Sequence, residues 1–157
     1  GVDSNWVLDG VKLQTTTSGS CLAVNESSRL NVNSISFGAC ATYQAFAQDN
    51  STIHFNSNYS IVGGAIAHWL ALECGVIGAP AMTVTLTDTP AFSTAFAWAT
   101  RGGFISAYSM TFSGSATGSR YAISDTSAIV TGGGGANYFP GDGAGSGGTT
   151  AGGGSYS

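Results

Sequence analysis

The chain has 157 residues, with four Lys plus Arg against eight Asp plus Glu and a formal net charge of −4. Lys12, Arg29, Arg101 and Arg120 stand singly; a phosphate backbone needs several cations to displace its counterions, so nucleic-acid binding is excluded. The scarcity of Glu, Lys, Gln and Arg also removes the residues that fill exposed helix positions, leaving short β-strands edged with Thr, Ser and Asn.

Residues 1–10 read as a lead-in from an upstream region. From there to residue 131, short period-two segments follow one another: Val11–Gln14, Cys21–Val24, Leu30–Asn33, Ile35–Phe37, Thr52–Phe55, Tyr59–Val62, Met82–Thr87, Phe104–Ala107 and Tyr121–Ile123. Each sets branched or aromatic groups on one face, and those ending at Phe37, Phe55 and Thr87 are stopped by Gly38, Asn56 and Asp88. Ala91–Thr100 is the one helix candidate, but its two-residue period and the Arg101-Gly102-Gly103 that follows favour a strand. The longest apolar stretch, Ile61–Leu72, is interrupted by Gly63, Gly64 and His68, too short and broken to span a membrane. No signal peptide is expected, since no charged n-region precedes a hydrophobic run.

Strand, polar corner, strand, small corner recurs every 23 to 26 residues, at 34–38, 58–63, 84–87 and 108–114. Asn-Gly or Asp-Gly hairpin turns are missing between good strands, so a solenoid is favoured over a sandwich. The expected fold is an all-β, parallel β-helix of four to five coils over residues 11–131, with 132–157 as a Gly-rich C-terminal cap or tail. Twelve of the 24 glycines lie at or beyond Gly132. Within that stretch Tyr138, Phe139 and Pro140 are expected to anchor a tight turn against the last coil or a neighbouring subunit. Exposed coil edges invite pairing, so three copies around one axis, or an upstream continuation, would cover them.

Cys21, Cys40 and Cys74 form no CxxC or Cys/His cluster, so neither metal nor cofactor is expected. Free buried thiols are the default reading; a Cys21–Cys40 disulfide is the alternative if those positions face each other. Among Glu26, Asp49, Glu73, Asp88 and Asp125, the catalytic candidates are Glu73, set among apolar residues beside His68 and Trp69, and Asp88, more simply a turn former. Non-catalytic glycan contact fits better. Exposed aromatics can cover sugar rings beside neutral hydroxyls, which makes Trp6, Tyr43, Trp69, Trp98 and Tyr108 the carbohydrate-binding candidates.

The stretch GSATGSRYAISDTSAIVTGGGGANYFPGD at 114–142, with LNVNSISFGAC and TLTDTPAFSTAFAWAT upstream, resembles the C-terminal segment of tail fibre and tailspike-like proteins of phages and prophages of alphaproteobacteria. The resemblance implies a right-handed, homotrimeric β-helix on the virion that attaches to bacterial surface polysaccharide. A glycan-depolymerising tailspike enzyme and a bacterial surface adhesin are the alternatives. The family ending Thr-Ala-Thr-Gly-Gly-Gln-Tyr is replaced here by the Gly-rich run from Gly148 to Tyr156.

Overall fold

A computed structural model describes residues 5–147 and 153–157. Its first coil holds β1 (Asn5–Asp9), β2 (Lys12–Leu13) and β3 (Leu22–Val24); the second holds β4 (Arg29–Asn33), β5 (Ser36–Phe37) and β6 (Tyr43–Ala47). The third has β7 (Thr52–Phe55), β8 (Tyr59–Ile61) and β9 (Ala65–Leu72); the fourth has β10 (Val76–Gly78), β11 (Thr83–Leu86) and β12 (Phe92–Thr100). The fifth has β13 (Phe104–Ser106), β14 (Thr111–Ser113) and β15 (Tyr121–Ile123); β16 (Ala128–Val130), β17 (Ser146–Gly147) and β18 (Ser155–Tyr156) follow. Among the described residues there is no helix.

Every strand pairs in parallel with its counterpart one coil away, which makes three sheets. The first sheet runs β1-β4-β7-β10-β13-β16-β18, the second β2-β5-β8-β11-β14 and the third β3-β6-β9-β12-β15-β17. The chain is thus a parallel β-solenoid of about six turns, not the expected four to five. Two segments account for the difference. Residues before Val11 already form β1 in register with β4, and the Gly-rich end contributes β17 and β18.

In-register pairing turns the period-two pattern into columns. Leu30, Ile53, Ile77, Ile105 and Ile129 lie one above the next in the first sheet, the four isoleucines fully buried. Leu13, Phe37, Ile61 and Leu86 do the same in the second. In the third, Leu22, Ala45, Trp69, Ala97 and Tyr121 alternate large and small. Trp69 therefore fills the width vacated by alanines on both sides, the interlocking that close-packed interiors require.

The corner between the third and first sheets is also stacked. Glu26-Ser27, Asp49-Asn50, Glu73-Cys74, Arg101-Gly102 and Asp125-Thr126 all have positive φ at both residues. Each closes an i to i+3 hydrogen bond, as from Gly75 N to Leu72 O at 2.8 Å. The corners also bond to one another: Ser27 N donates to Asp49 O, Asn50 N to Glu73 O, Cys74 N to Arg101 O and Gly102 N to Asp125 O. Gly75 and Gly103 follow two of these corners because a Cβ there would collide with the carbonyl oxygens of Ala47 and Ala71.

Ala91–Thr100 carries strand β12 with a register shift between Phe92 and Ala95. Adjacent side chains are buried together at Gln44–Ala45, His68–Trp69 and Phe96–Ala97. The two-residue period slips here in three consecutive coils, as at a bulge. In the sixth coil no described strand extends the second sheet. Instead Phe139 is buried, stacked on Phe96 at 5.8 Å and tilted against Phe112 at 5.8 Å. Tyr138 accepts a 2.7 Å hydrogen bond from Met110 N and donates to Ala107 O, and half-buried Pro140 follows.

Cys21 and Cys40 are disulfide-bonded with Cα atoms 5.8 Å apart, and Cys74 is a free, exposed thiol. This corrects the expectation of three buried thiols. Cys21 N donates to Tyr43 O and Cys40 N to Gly64 O, so each backbone is already held against the next coil where the sulfurs meet. The bridge closes a sequence separation of 19, which corresponds to about 3 kcal/mol of chain-entropy stabilisation. Cys40→Ser should lower the urea unfolding free energy by about that amount, and a reducing agent should act on the parent chain but not on the variant.

Candidate functional site

Three polar side chains meet in the core where the strand period slips. Gln44 and His68 are fully buried and Tyr59 nearly so. Gln44 Nε2 donates to Gly38 O at 3.0 Å and Gly63 O at 2.6 Å, which turns its Oε1 toward His68 Nδ1 at 2.7 Å. An amide oxygen only accepts, so Nδ1 carries the proton and Nε2 receives the Tyr59 hydroxyl at 2.7 Å. Burial holds the His68 pKa well below the usual imidazole value and pushes Tyr59 well above the usual phenol value. The network is sealed from solvent and positions chain rather than ligand. His68 and Trp69 accordingly cannot touch a saccharide from this position; both are 0% exposed.

The remaining aromatic candidates separate by face. Trp6 is 67% exposed on β1, in register with Leu30 and the isoleucine column, where no described coil lies beyond it. It borders a depression of about 220 Å³ with Val24, Arg29 and Leu30. Tyr108 is 46% exposed, beyond β13 and close to Gly132. Tyr43 and Trp98 come together on the outer face of the third sheet, ring centroids 6.3 Å apart and edge-on. Trp98 pairs in register with Leu70.

Tyr43, Leu70, Leu72 and Trp98 line one part of a groove of about 400 Å³, and Thr100, Arg101, Ser124 and Asp125 line the rest. That volume is at the small end of ligand clefts, which span about 300–1,000 Å³. The apolar wall comes from outward positions of β6, β9 and β12, and the polar end from the stacked corner. Thr100 Oγ1 and Ser124 Oγ both donate to Asp125 Oδ2, at 2.9 and 3.0 Å. Among the described residues none donates to Asp125 Oδ1. Arg101 reaches Glu73 Oε1 at 3.2 Å across an exposed pair, a contact worth about 0–1 kcal/mol.

The carboxylate candidates divide between corners. Glu26, Asp49, Glu73 and Asp125 occupy equivalent positions in the corner row between the third and first sheets; Asp88 lies at the corner between the second and third. Glu73 is exposed rather than set among apolar groups, because its left-handed turn lifts it off the end of β9. Glu73 and Asp88 are thus not brought to one cleft. Among the described residues no three of His, Cys, Asp and Glu gather as metal ligands.

The sequence singles out Tyr43 and Trp98 and includes Asp125 only among five scattered carboxylates; Thr100, Arg101 and Ser124 carry no such mark. The available signal was a charged residue with Ser or Gly two positions later at Glu26, Asp49, Glu73, Arg101 and Asp125. That recurrence marks a corner row and puts Arg101 and Asp125 in adjacent coils.

No family model, curated protein or solved structure matches this chain.

The buried triad makes stability depend on pH in one direction. Below about pH 6.5 the unfolded chain takes up a proton on His68 that the folded chain refuses. Folding stability should therefore fall as pH drops from 7 toward 5, by at most about 1.4 kcal/mol per pH unit from this group. Urea midpoints across that range should be flatter for His68→Gln than for the parent.

Proposed function

We propose that the chain is a structural and host-binding module of a phage tail fibre or spike, meeting bacterial surface polysaccharide on the outer face of its third sheet. The observation that carries this reading is the groove in which Tyr43 and Trp98 stand beside neutral hydroxyls with Asp125 as its one lining carboxylate. Aromatic rings cover the C–H faces of sugars, and hydroxyl, carboxylate and guanidinium groups at the rim fix their orientation. A solenoid suits such a role, since coils stacked along one axis present an extended surface.

Cleavage fits less well. Canonical glycoside hydrolysis sets two carboxyl groups about 5–9.5 Å apart across one bond. Here Asp88 stands at a different corner, and Glu73 is engaged by Arg101. The likeness of residues 114–142 to tail-fibre segments favours a virion over a bacterial adhesin using the same face.

Incubation with host lipopolysaccharide or capsule should give binding without shortening of the polymer. Trp98→Ala should weaken that binding by about 5- to 150-fold, the loss of one stacked ring being worth about 1–3 kcal/mol by analogy with base stacking. Binding unchanged in Trp98→Ala would reject the groove, and shortened product would return the enzyme reading. Assembly is proposed to be homotrimeric, with low surface charge permitting close packing. Light scattering should return three times the chain mass, and a single-chain mass rejects the trimer.

A further inference from the structure

The geometry points to a neutral pyranose with two adjacent free hydroxyls as the ligand of the Tyr43–Trp98 groove, its diol held between Asp125 and Arg101. This deepens the polysaccharide reading and rests on it.

The polar end of the groove is organised before any ligand arrives. Thr100 and Ser124 direct their hydroxyls to one oxygen of Asp125, at 2.9 and 3.0 Å. That fixes the plane of the carboxylate and leaves Oδ1 able to accept from a sugar hydroxyl. Arg101 lines the same groove and spends Nη1 on Glu73. A guanidinium carries five N–H donors in a fixed fork, so donors remain for a neighbouring sugar oxygen. An acceptor and a donor on adjacent coils of the corner row, both lining one groove, match vicinal hydroxyls, each of which both donates and accepts. Leu70, Leu72 and the two rings supply the apolar surface for the ring's C–H face.

Charge selects against an acidic sugar. Arg101 is already balanced by Glu73, Asp125 faces the groove, and the chain carries a formal −4. A uronate would bring a carboxylate to a site whose cation is matched and whose nearest open acceptor is anionic. A hexose keeps every contact and adds no charge.

The test titrates the full chain with methyl glucoside, mannoside and galactoside, their 2-deoxy, 3-deoxy and 4-deoxy analogues, and methyl glucuronate, following the Trp98 indole N–H by NMR. At least one neutral glycoside should shift that resonance. Removing one hydroxyl of its engaged diol should weaken binding about tenfold or more, and Asp125→Asn should do the same while leaving the thermal midpoint near that of the parent. Glucuronate binding as tightly as the glucoside overturns the proposal, as does an absence of response to every neutral glycoside. The ligand-side deletions test the contact without relying on a variant that folds. If polymer binding depends on Trp98 yet ignores both the deoxy changes and Asp125→Asn, the diol assignment fails and the groove stands. If polymer binding ignores Trp98 as well, the underlying reading fails.

Discussion

The left-handed corner row governs how the coils lie on one another. Two consecutive residues with positive φ reverse the chain between the third and first sheets in five successive coils. Most are not glycine, and an L-residue in that region costs roughly 1–2 kcal/mol. The corners persist because each closes its own turn and the first four donate to the corner of the next coil. A slip by one residue would break that ladder and turn every aliphatic column from core to solvent. The row therefore fixes the phase on which the isoleucine column, the buried triad and the groove all depend.

Much of the architecture was legible because the strands obey a period of two and return at nearly constant spacing. Parallel stacking followed from the scarcity of hairpin turns, and strand at Ala91–Thr100 from the pattern around it. The coil count was less legible. Residues 132–157 look like tail by composition, but glycine there lets the backbone approach closely, and Phe139 and Tyr156 supply the apolar contacts. The disulfide was hidden for a related reason: Cys21 and Cys40 meet only once two coils are stacked.

The aromatic candidates show where local pattern stops being informative. Phe92, Phe96 and Trp98 share a two-residue period in the sequence, yet Phe92 and Phe96 are fully buried while Trp98 lines the outer groove. The slip at Phe96–Ala97 inverts everything after it, and the same slip at His68–Trp69 turns an apparent sugar platform inward. The groove draws Tyr43 from the second coil, Leu70 and Leu72 from the third, Trp98, Thr100 and Arg101 from the fourth and Ser124 and Asp125 from the fifth. Its parts lie up to 82 residues apart in sequence but are neighbours along the axis. Such a site sits on rigid strands and tight corners rather than on a mobile loop, so its shape is set before a ligand arrives.

The size alternation in the third sheet has a consequence for how such a molecule can lengthen. Leu22, Ala45, Trp69, Ala97 and Tyr121 repeat large and small with a period of two coils, and Gly145 stands where the next small residue belongs, against the Tyr121 ring. Duplicating a single turn would set bulk against bulk, or leave a hollow between two alanines. Duplicating a pair preserves the interlock. The natural increment of growth for this rod is the doublet, which ties its permissible lengths to the packing of one interior row.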